Sequence, residues 1–319
     1  MYQANASQPL VALLNELDDL GYDFTAITPR SHSRVVERRA GQRATDLRDV
    51  FGWSLPFERA LLLGPLMDSL QAAGAVEPAA GDLFRSALRV ATLDGRPFLH
   101  SAFPTIADDS VFFGPDTYRF LRFVEPALPD RAAHLVDLGC GSGAGGIIVA
   151  GLIEPERTTL LDINPAALRL AAANAAFAGV EVTTIEGGLS ALDGALDGAP
   201  DTGPDLIIAN PPFIIDPRGR SYRDGGDRLG SGLSLAWARE GMAKLAPGGR
   251  FLLYTGSAIV AGEDALLSAL SEAADEAGCS LSYSELDPDI FGEELDQPGY
   301  AVASVERIAA VGAIIQRDD

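Results

Sequence analysis

The sequence predicts an α/β fold in which a mostly parallel sheet, covered by helices on both faces, follows a smaller and mainly helical N-terminal region. From about residue 131 onward, short apolar segments alternate with helical ones, which is the pattern of a parallel sheet. The first hundred residues instead carry leucines at helical spacing. With 47% hydrophobic and 22% charged residues in 319 positions, the chain can build a sizeable core, and global disorder is excluded.

The first predicted helix lies in QPLVALLNELDDLGYD, where the leucines fall on one helical face. Asn5 or Ser7 is the expected cap, and Gly21 is expected to end the helix. A second helix is predicted over 57–73, with Gly74 at its end.

The segment that follows fits two structures at its start. Residues 84–90 suit either a helix or a strand, whereas 93–96 form a turn centred on Asp-Gly, which is typical of a hairpin. Helices followed by a small hairpin predict a winged-helix-like domain over residues 1–100. Residues 101–319 then form the second predicted domain.

Seven strands are predicted from apolar character between turn signals, at 134–138, 158–162, 182–186, 205–209, 250–255, 281–286 and 308–316. Helices are expected between them at 165–178, 234–245 and 263–277. A stretch rich in turn residues, DPDIFGEELDQPG, joins the last two strands, so the last strand is expected to be antiparallel.

The overall charge is −21, which repels phosphate backbones at long range and argues against non-specific nucleic-acid coating. Residues 30–48 are a local exception, with six arginines against Glu37 and Asp46. No apolar run reaches the roughly 20 residues of a membrane helix, and the N-terminus lacks a basic segment followed by an apolar one. We therefore expect a soluble cytoplasmic protein without a membrane partner.

The first chemical motif is LVDLGCGSGAGG, in which an apolar strand ends at Asp137 and glycines follow at every second position, Gly139, Gly141 and Gly143. Glycine permits positive φ and lets a ligand approach without a Cβ in the way. The loop follows the carboxyl end of a strand, where open α/β sheets bind ligands. A tight turn without a ligand is the alternative interpretation.

The second motif is TLLDINPAAL, where another apolar strand ends at Asp162, about twenty residues after the glycine loop. A carboxylate at this distance accepts both hydroxyls of a ribose. The alternative is that Asp162 caps the helix that Pro165 begins.

The third motif is DLIIANPPF, an apolar strand that runs directly into Asn210, Pro211, Pro212 and Phe213. Two successive prolines make the turn stiff, so the carbonyls of Asn210 and Pro211 are able to face a ligand. Phe213 offers a flat ring for stacking. Alternatively the prolines end an edge strand, although the apolar strand favours a central position.

These motifs, in this order, resemble class I S-adenosylmethionine-dependent methyltransferases, in particular the branch with an Asn-Pro-Pro-(Tyr/Phe) motif. That branch methylates amino nitrogens on planar groups, in nucleobases or in the glutamine side chain. The resemblance covers about residues 101–319 and implies a Rossmann-like sheet and S-adenosylmethionine as cofactor. It places the cofactor against Phe113, Thr117, Asp137, Gly139, Gly141, Gly143, Asp162, Asn164, Gly187, Gly188, Leu189 and Asn210. For Phe113 and Thr117, a buried aromatic helix start with Asp116 in its first turn is the alternative.

The resemblance implies that Asn210, Pro211, Pro212 and Phe213 form the catalytic turn. Hydrogen bonds from the substrate amino group to the Asn210 side chain and the Pro211 carbonyl would direct its lone pair at the methyl group. This scheme needs no strong general base. His32, His100 and His134 follow no triad or metal spacing, and no metal is predicted. Cys140 is interpreted as a packing residue.

The predicted function is therefore methyl transfer to an amino nitrogen of RNA or protein. The N-terminal domain and the polar loop 218–232 would contact the substrate, the loop through arginines that bind a phosphate or a carboxylate. The alternative is a solvated loop whose arginines neutralise nearby aspartates. Three alternatives stay open: a small-molecule N-methyltransferase, a non-catalytic nucleotide-binding protein and a nicotinamide-dependent oxidoreductase.

Overall fold

The computed structural model describes residues 7–62, 64–195 and 203–318. The N-terminal region contains four helices, α1 (Gln8–Asp19), α2 (Pro29–Arg38), α3 (Leu47–Phe51) and α4 (Gly64–Ala72). The predicted first helix is confirmed, because the leucines that define its face are fully buried in α1. Ser7 caps this helix without a side-chain hydrogen bond, whereas Asn5 lies outside the described residues.

The predicted helix over 57–73 is wrong in its first half. Phe57 forms a bridge to Phe84, and only a short 3₁₀ turn precedes α4. Pro65 suits the first turn of a helix but would interrupt a longer one, so the helix begins at Gly64. The structure also adds α2, whose cap is Thr28; its side-chain oxygen accepts a hydrogen bond from the Ser31 amide at 3.2 Å.

Two hairpins complete the N-terminal region. Strand β1 (Val76–Pro78) pairs with β2 (Phe84–Ser86), and β3 (Leu88–Leu93) pairs with β4 (Arg96–Ser101). The predicted turn is confirmed, since Asp94 and Gly95 between β3 and β4 both have positive φ. The segment 84–90 is strand because its backbone bonds to neighbouring chain segments rather than to itself.

The central sheet contains all seven predicted strands: β5 (His134–Leu138), β6 (Arg157–Asp162), β7 (Thr183–Glu186), β8 (Leu206–Ala209), β9 (Arg250–Val260), β11 (Cys279–Asp287) and β12 (Val305–Arg317), with the short β10 (Glu263–Asp264) paired to β9. Their order is β11-β12-β9-β8-β5-β6-β7. Strands β5 to β9 are parallel, and β12 is antiparallel to both β9 and β11. The predicted fold class is therefore confirmed, including the antiparallel last strand.

Helices cover both faces of the sheet: α5 (Pro115–Val124), α6 (Ala144–Ile153), α7 (Pro165–Ala178), α8 (Leu192–Ala195), α9 (Gly232–Lys244), α10 (Ala265–Ala277) and α11 (Pro298–Val302). Successive side chains of a strand point to opposite faces, so β5 contributes to two cores. Leu135 belongs to the core with α5 and α6, and Val136 belongs to the core with α9 and α10.

The N-terminal region shares a core with the sheet domain. Leu13 and Leu17 of α1 belong to the same buried cluster as Ala167, Leu170 and Ala173 of α7. The predicted boundary at residue 100 falls near the end of β4, and the division into two domains stays a prediction. Within the described ranges, no helix has the length and apolar character that crossing a bilayer requires.

Candidate active site

A cleft of about 330 Å³ opens at the carboxyl ends of the parallel strands. It brings together most of the predicted site residues, namely Thr117, Asp137, Gly139, Gly141, Asp162, Asn164, Gly187, Gly188, Asn210, Pro211, Pro212 and Phe213. The glycine loop and the proline turn thus open onto one cleft, because β5 and β8 are adjacent parallel strands. The volume lies in the range of small-molecule sites.

The glycine loop lines one side of the cleft with backbone atoms. Gly139 and Gly141 both have positive φ, and a Cβ on Gly139 would overlap the Trp237 ring. Beside Gly141 no atom lies within 4 Å of where a Cβ would be, so this backbone faces open space. Gly143 differs from the prediction, because it does not line the cleft. It caps α6 and would place a Cβ 2.9 Å from Ala171, so its smallness serves helix packing.

Asp137 lies beneath the loop and is almost completely buried. Its Oδ2 accepts a hydrogen bond from the Gly146 amide at 2.7 Å. Burial, reinforced by the charge of Asp162, raises the pKa of Asp137 to about 7 despite that hydrogen bond. The carboxyl group is therefore poised to bind a cation, which would favour its ionised form.

This shift predicts how stability depends on pH. The folded protein keeps the Asp137 proton up to about pH 7, whereas an unfolded chain loses it near pH 4. The folded state thus binds more protons in that window, and its stability falls as the pH rises through it. Asp137→Asn, which stays neutral, should lack this part of the fall in Tm between pH 4.5 and 7.5. If Tm falls with pH equally in the wild-type protein and in Asp137→Asn, the raised pKa of Asp137 is contradicted.

Asp162 holds the loop and the next turn together. Its Oδ2 accepts a hydrogen bond from the Gly141 amide at 2.8 Å, and its Oδ1 accepts one from the Asn164 amide at 2.9 Å. Burial raises the pKa of Asp162 above its ordinary range. The cap of α7 is Asn164, whose Oδ1 accepts from the Ala166 amide, so Asp162 is not the helix cap. Its carboxylate instead lines the cleft, beside the exposed Ile163.

The segment before α5 closes one side of the cleft. Thr117 lines the cleft as predicted, but Phe113 does not, since its ring stacks on His100 and Phe98 in the core. Phe112 lines the cleft in its place. Of these two neighbouring rings, only that of Phe112 therefore faces the cleft, and contact of this segment with a cofactor stays a prediction.

Two of the three residues predicted after β7 line the cleft. Gly187 and Gly188 do so, and a Cβ on Gly188 would meet nothing within 4 Å. Leu189 is fully buried in the core that contains α9 and α10, and it does not line the cleft. Only backbone from the glycines therefore faces a ligand at this edge.

The proline turn follows β8, which lies between β5 and β9 in the interior of the sheet. The alternative that these prolines end an edge strand is therefore wrong. Asn210 is half-buried and lines the cleft together with both prolines. Phe213 is 7% exposed, and Gly256 lies directly against its ring, so a ligand meets only the uncovered part of that ring.

The contact of Gly256 with Phe213 predicts a specific effect on turnover. Gly256→Ala would place a methyl group where the ring now lies, and Phe213 must shift. We expect a stability loss of about 1–3 kcal/mol from overpacking and lower kcat at unchanged cofactor affinity. Gly262→Ala, at a site with no neighbour within 4 Å but with positive φ, is the control for a glycine substitution without this contact. If both variants have the same kcat, the position of the Phe213 ring does not affect turnover.

Ion pairs fix the polar loop that follows the turn. Arg220 binds Asp216 through two contacts, at 2.7 and 2.8 Å, and this pairing lowers the pKa of Asp216 to about 2. Arg223 pairs with Glu294. Tyr222, which lines the cleft, donates a hydrogen bond to the Thr105 carbonyl oxygen at 2.7 Å. These pairs agree with the alternative in which the arginines of the loop neutralise nearby carboxylates, and the Tyr222 hydrogen bond holds the loop against the protein.

Several residues that line the cleft were not predicted to do so from the sequence, among them Phe112, Phe120, Leu233 and Trp237, and Asp116 was expected only in the first turn of a helix. Asp116 is buried, and its Oδ1 accepts a hydrogen bond from the Tyr254 hydroxyl at 2.7 Å. Burial raises the pKa of Asp116. Leu233 and Trp237 are four residues apart on α9, and this helical spacing was their only signal in the sequence.

The histidines and Cys140 do not supply a reactive group. His32, His100 and His134 are buried, and none lines the cleft. Cys140 lines it, but burial raises the pKa of its thiol, so the thiolate is disfavoured. Among residues 7–62, 64–195 and 203–318, no group of three or more potential ligands is placed to hold a metal ion.

Residues 120–221 match the family model of the methyltransferase small domain. This part of the chain is therefore similar to methyltransferase small domains. The match covers the glycine loop, Asp162 and the proline turn, and it confirms the resemblance to class I methyltransferases, with S-adenosylmethionine as their cofactor.

Curated proteins that the chain matches are named release factor glutamine methyltransferases. The relative from Cereibacter sphaeroides is 32% identical over 184 residues, which cover 54% of this chain and 60% of the relative. That from Bordetella pertussis is 30% identical over 178 residues, which cover 51% and 63%. The chain thus spans about 60% of the length of these relatives. The solved structure of wild-type Trm5b from Pyrococcus abyssi aligns with a TM-score of 0.49 at 14% identity, covering 76% of this chain and 62% of that one.

Proposed function

We propose that this protein transfers the methyl group of S-adenosylmethionine to the side-chain amide nitrogen of a glutamine in a protein. The observation that carries the proposal is the shared cleft, in which the glycine loop and Asp162 lie on one side and the Asn210 turn lies on the other. A donor site and an acceptor site for a planar amide are thus side by side.

The residues on the donor side fit S-adenosylmethionine. Gly141 and Gly188 leave space for a ligand against their backbone. Asp137 is a buried carboxyl for the cofactor's ammonium group, and Asp162 provides carboxylate oxygens for ribose hydroxyls. Ile163 is apolar and 63% exposed, so it offers a surface for the adenine ring. When bound, this cofactor supplies an activated methyl group.

The residues on the acceptor side suit a planar amide. The Asn210 side-chain oxygen and the Pro211 carbonyl are acceptors on a turn that two prolines stiffen. Two such acceptors would hold both protons of an amide NH₂ and turn its lone pair towards the methyl group. They would also stabilise the positive charge that develops on nitrogen.

Two observations favour a protein glutamine over a nucleobase. The curated relatives are named for glutamine in release factors, which makes a release factor the first substrate to assay. In addition, Arg220 and Arg223 beside the cleft are neutralised by Asp216 and Glu294, so they are not free for phosphates. We propose that the N-terminal region and the loop 218–232 contact this protein substrate.

The test is transfer of a labelled methyl group from S-adenosylmethionine to purified release factor, total RNA and small metabolites in parallel. We expect label in the protein alone, and N5-methylglutamine after enzymatic digestion. Label in RNA would show that the methyl acceptor is a nucleobase and not glutamine. Label in metabolites would show that the protein methylates a small molecule. Tight cofactor binding without transfer to any of them would contradict the enzyme assignment.

A further inference from the structure

An exposed row of arginines on α2 begins one residue away from the cleft. Pro29, the first residue of α2, lines the cleft. Arg30, Arg34 and Arg38 follow at intervals of four, so they share one face of the helix, and all three are exposed. This face, the α2 arginine face, runs about 12 Å along the helix axis from Arg30 to Arg38.

The α2 arginine face is unpaired within the part of the chain that the structure describes. None of the ion pairs there includes Arg30, Arg34 or Arg38. Acidic partners are plentiful, since the chain has 45 acidic residues against 24 basic ones. The next two arginines along the chain do pair: Arg39 binds Asp49 and Arg43 binds Glu58.

The stability of α2 explains only one of these charges, because Arg38 lies in the last turn, where the helix dipole favours a cation. Arg30 lies in the first turn, where the positive end of the helix dipole disfavours a cation, and that turn contains no acidic residue. Like charges four residues apart also repel each other. The helix is attached through its opposite face, where His32 is buried. A cation that is kept against local electrostatics, as Arg30 is, is expected at a binding site.

We infer that the α2 arginine face binds an acidic segment of the protein substrate, while the glutamine to be methylated lies in the cleft beside Pro29. This inference rests on the proposed function. Guanidinium groups pair with carboxylates through two parallel hydrogen bonds. Alternate side chains of an extended peptide lie about 6.7 Å apart, close to the roughly 6 Å between successive arginines along the helix axis. One acidic side chain per arginine is therefore sterically matched.

The surroundings favour an acidic peptide over a nucleic acid. Glu37 is exposed next to Arg38, and Arg220 and Arg223 near the cleft are already paired. Each phosphate that a nucleic acid places near the cleft needs a free cation, and these two arginines are already neutralised. The net charge of −21 disfavours an acidic segment over the protein as a whole, so the α2 arginine face would fix its position and direction.

The test compares two fluorescein-labelled peptides of equal length, each with one glutamine. One carries four glutamates at alternate positions, and the other carries serines there. Binding is measured by fluorescence anisotropy with wild-type protein and with the variant Arg30→Gln, Arg34→Gln, Arg38→Gln. The control, Arg122→Gln, Arg131→Gln, Arg239→Gln, removes three other exposed arginines and hence the same net charge. Circular dichroism verifies that each variant is folded.

We expect wild type and control to bind the acidic peptide at least about tenfold more tightly than the serine peptide at low salt. The α2 variant should bind both equally. No preference in wild type, a preference that survives in the α2 variant, or an equal loss in the control would overturn the inference. So would an oligouridylate that binds more tightly than the acidic peptide and needs the same arginines. Because the readout is binding, failure of both peptides to accept methyl groups contradicts the proposed function and not this docking.

Discussion

Asn210→Ala should lower kcat by about 10²-fold or more, since one lost group that orients and stabilises a transition state typically costs that much. The side chain lines the acceptor side of the cleft, whereas the donor side is built by the glycine loop and Asp162. The Kd for S-adenosylmethionine should therefore stay within about fivefold, because no cofactor group depends on this side chain alone. Calorimetry gives Kd, and single-turnover methyl transfer gives the rate.

The matched control is Asn15→Ala, the same substitution at an exposed position on α1, where the amide bonds only to the Val11 carbonyl. It should leave both kcat and Kd unchanged. If Asn210→Ala retains wild-type turnover, the proline turn does not hold the acceptor nitrogen, and the proposed mechanism is wrong.

Asp162→Ala should mainly affect cofactor binding and not kcat, and we expect the Kd for S-adenosylmethionine to rise by about 10²-fold. The loss of charged hydrogen bonds to a ribose is worth roughly 1.5–3 kcal/mol each. The substitution also removes the partner of the Gly141 and Asn164 amides, so the loop itself loosens. Calorimetry with S-adenosylmethionine and with its demethylated product measures this loss, which should be similar for both ligands because they share the ribose.

Two further variants test this assignment. Asp162→Asn retains one oxygen but turns an NH₂ towards a backbone amide donor, and we expect most of the affinity to be lost. Asp275→Ala, at an exposed position on α10, is the control for loss of a carboxylate. Cofactor affinity that is unchanged in Asp162→Ala, in a protein with wild-type Tm, would show that the ribose is held elsewhere.

The sequence was most informative where structure follows from local pattern. The strand over His134–Leu138 and the helix over Pro165–Ala178 were predicted with their observed bounds. Apolar segments between turn residues are sufficient for this, because each strand and helix carries its own periodicity. The helix over 57–73 failed because Phe57 is held by a distant residue, Phe84, which no local pattern reveals.

The sequence likewise located the segments of the candidate site better than the side chains within them. Phe113 and Leu189 belong to the right segments but point into the core, and Gly143 packs on Ala171. Phe112 and Trp237 line the cleft without a recognisable motif. Which side a residue faces depends on the neighbours packed around it, and those come from elsewhere in the chain.

The sequence by itself determined the seven strands of the central sheet, the glycine loop after Asp137 and the stiff turn at Asn210, because glycine, proline and apolar spacing act on nearby backbone. Only the tertiary structure decided that these two turns share a cleft, that Arg220 and Arg223 are neutralised, and that the α2 arginine face remains exposed. The physical reason is that charge pairing and exposure are set by contacts between residues far apart in sequence, whereas backbone conformation is set largely by residues close together.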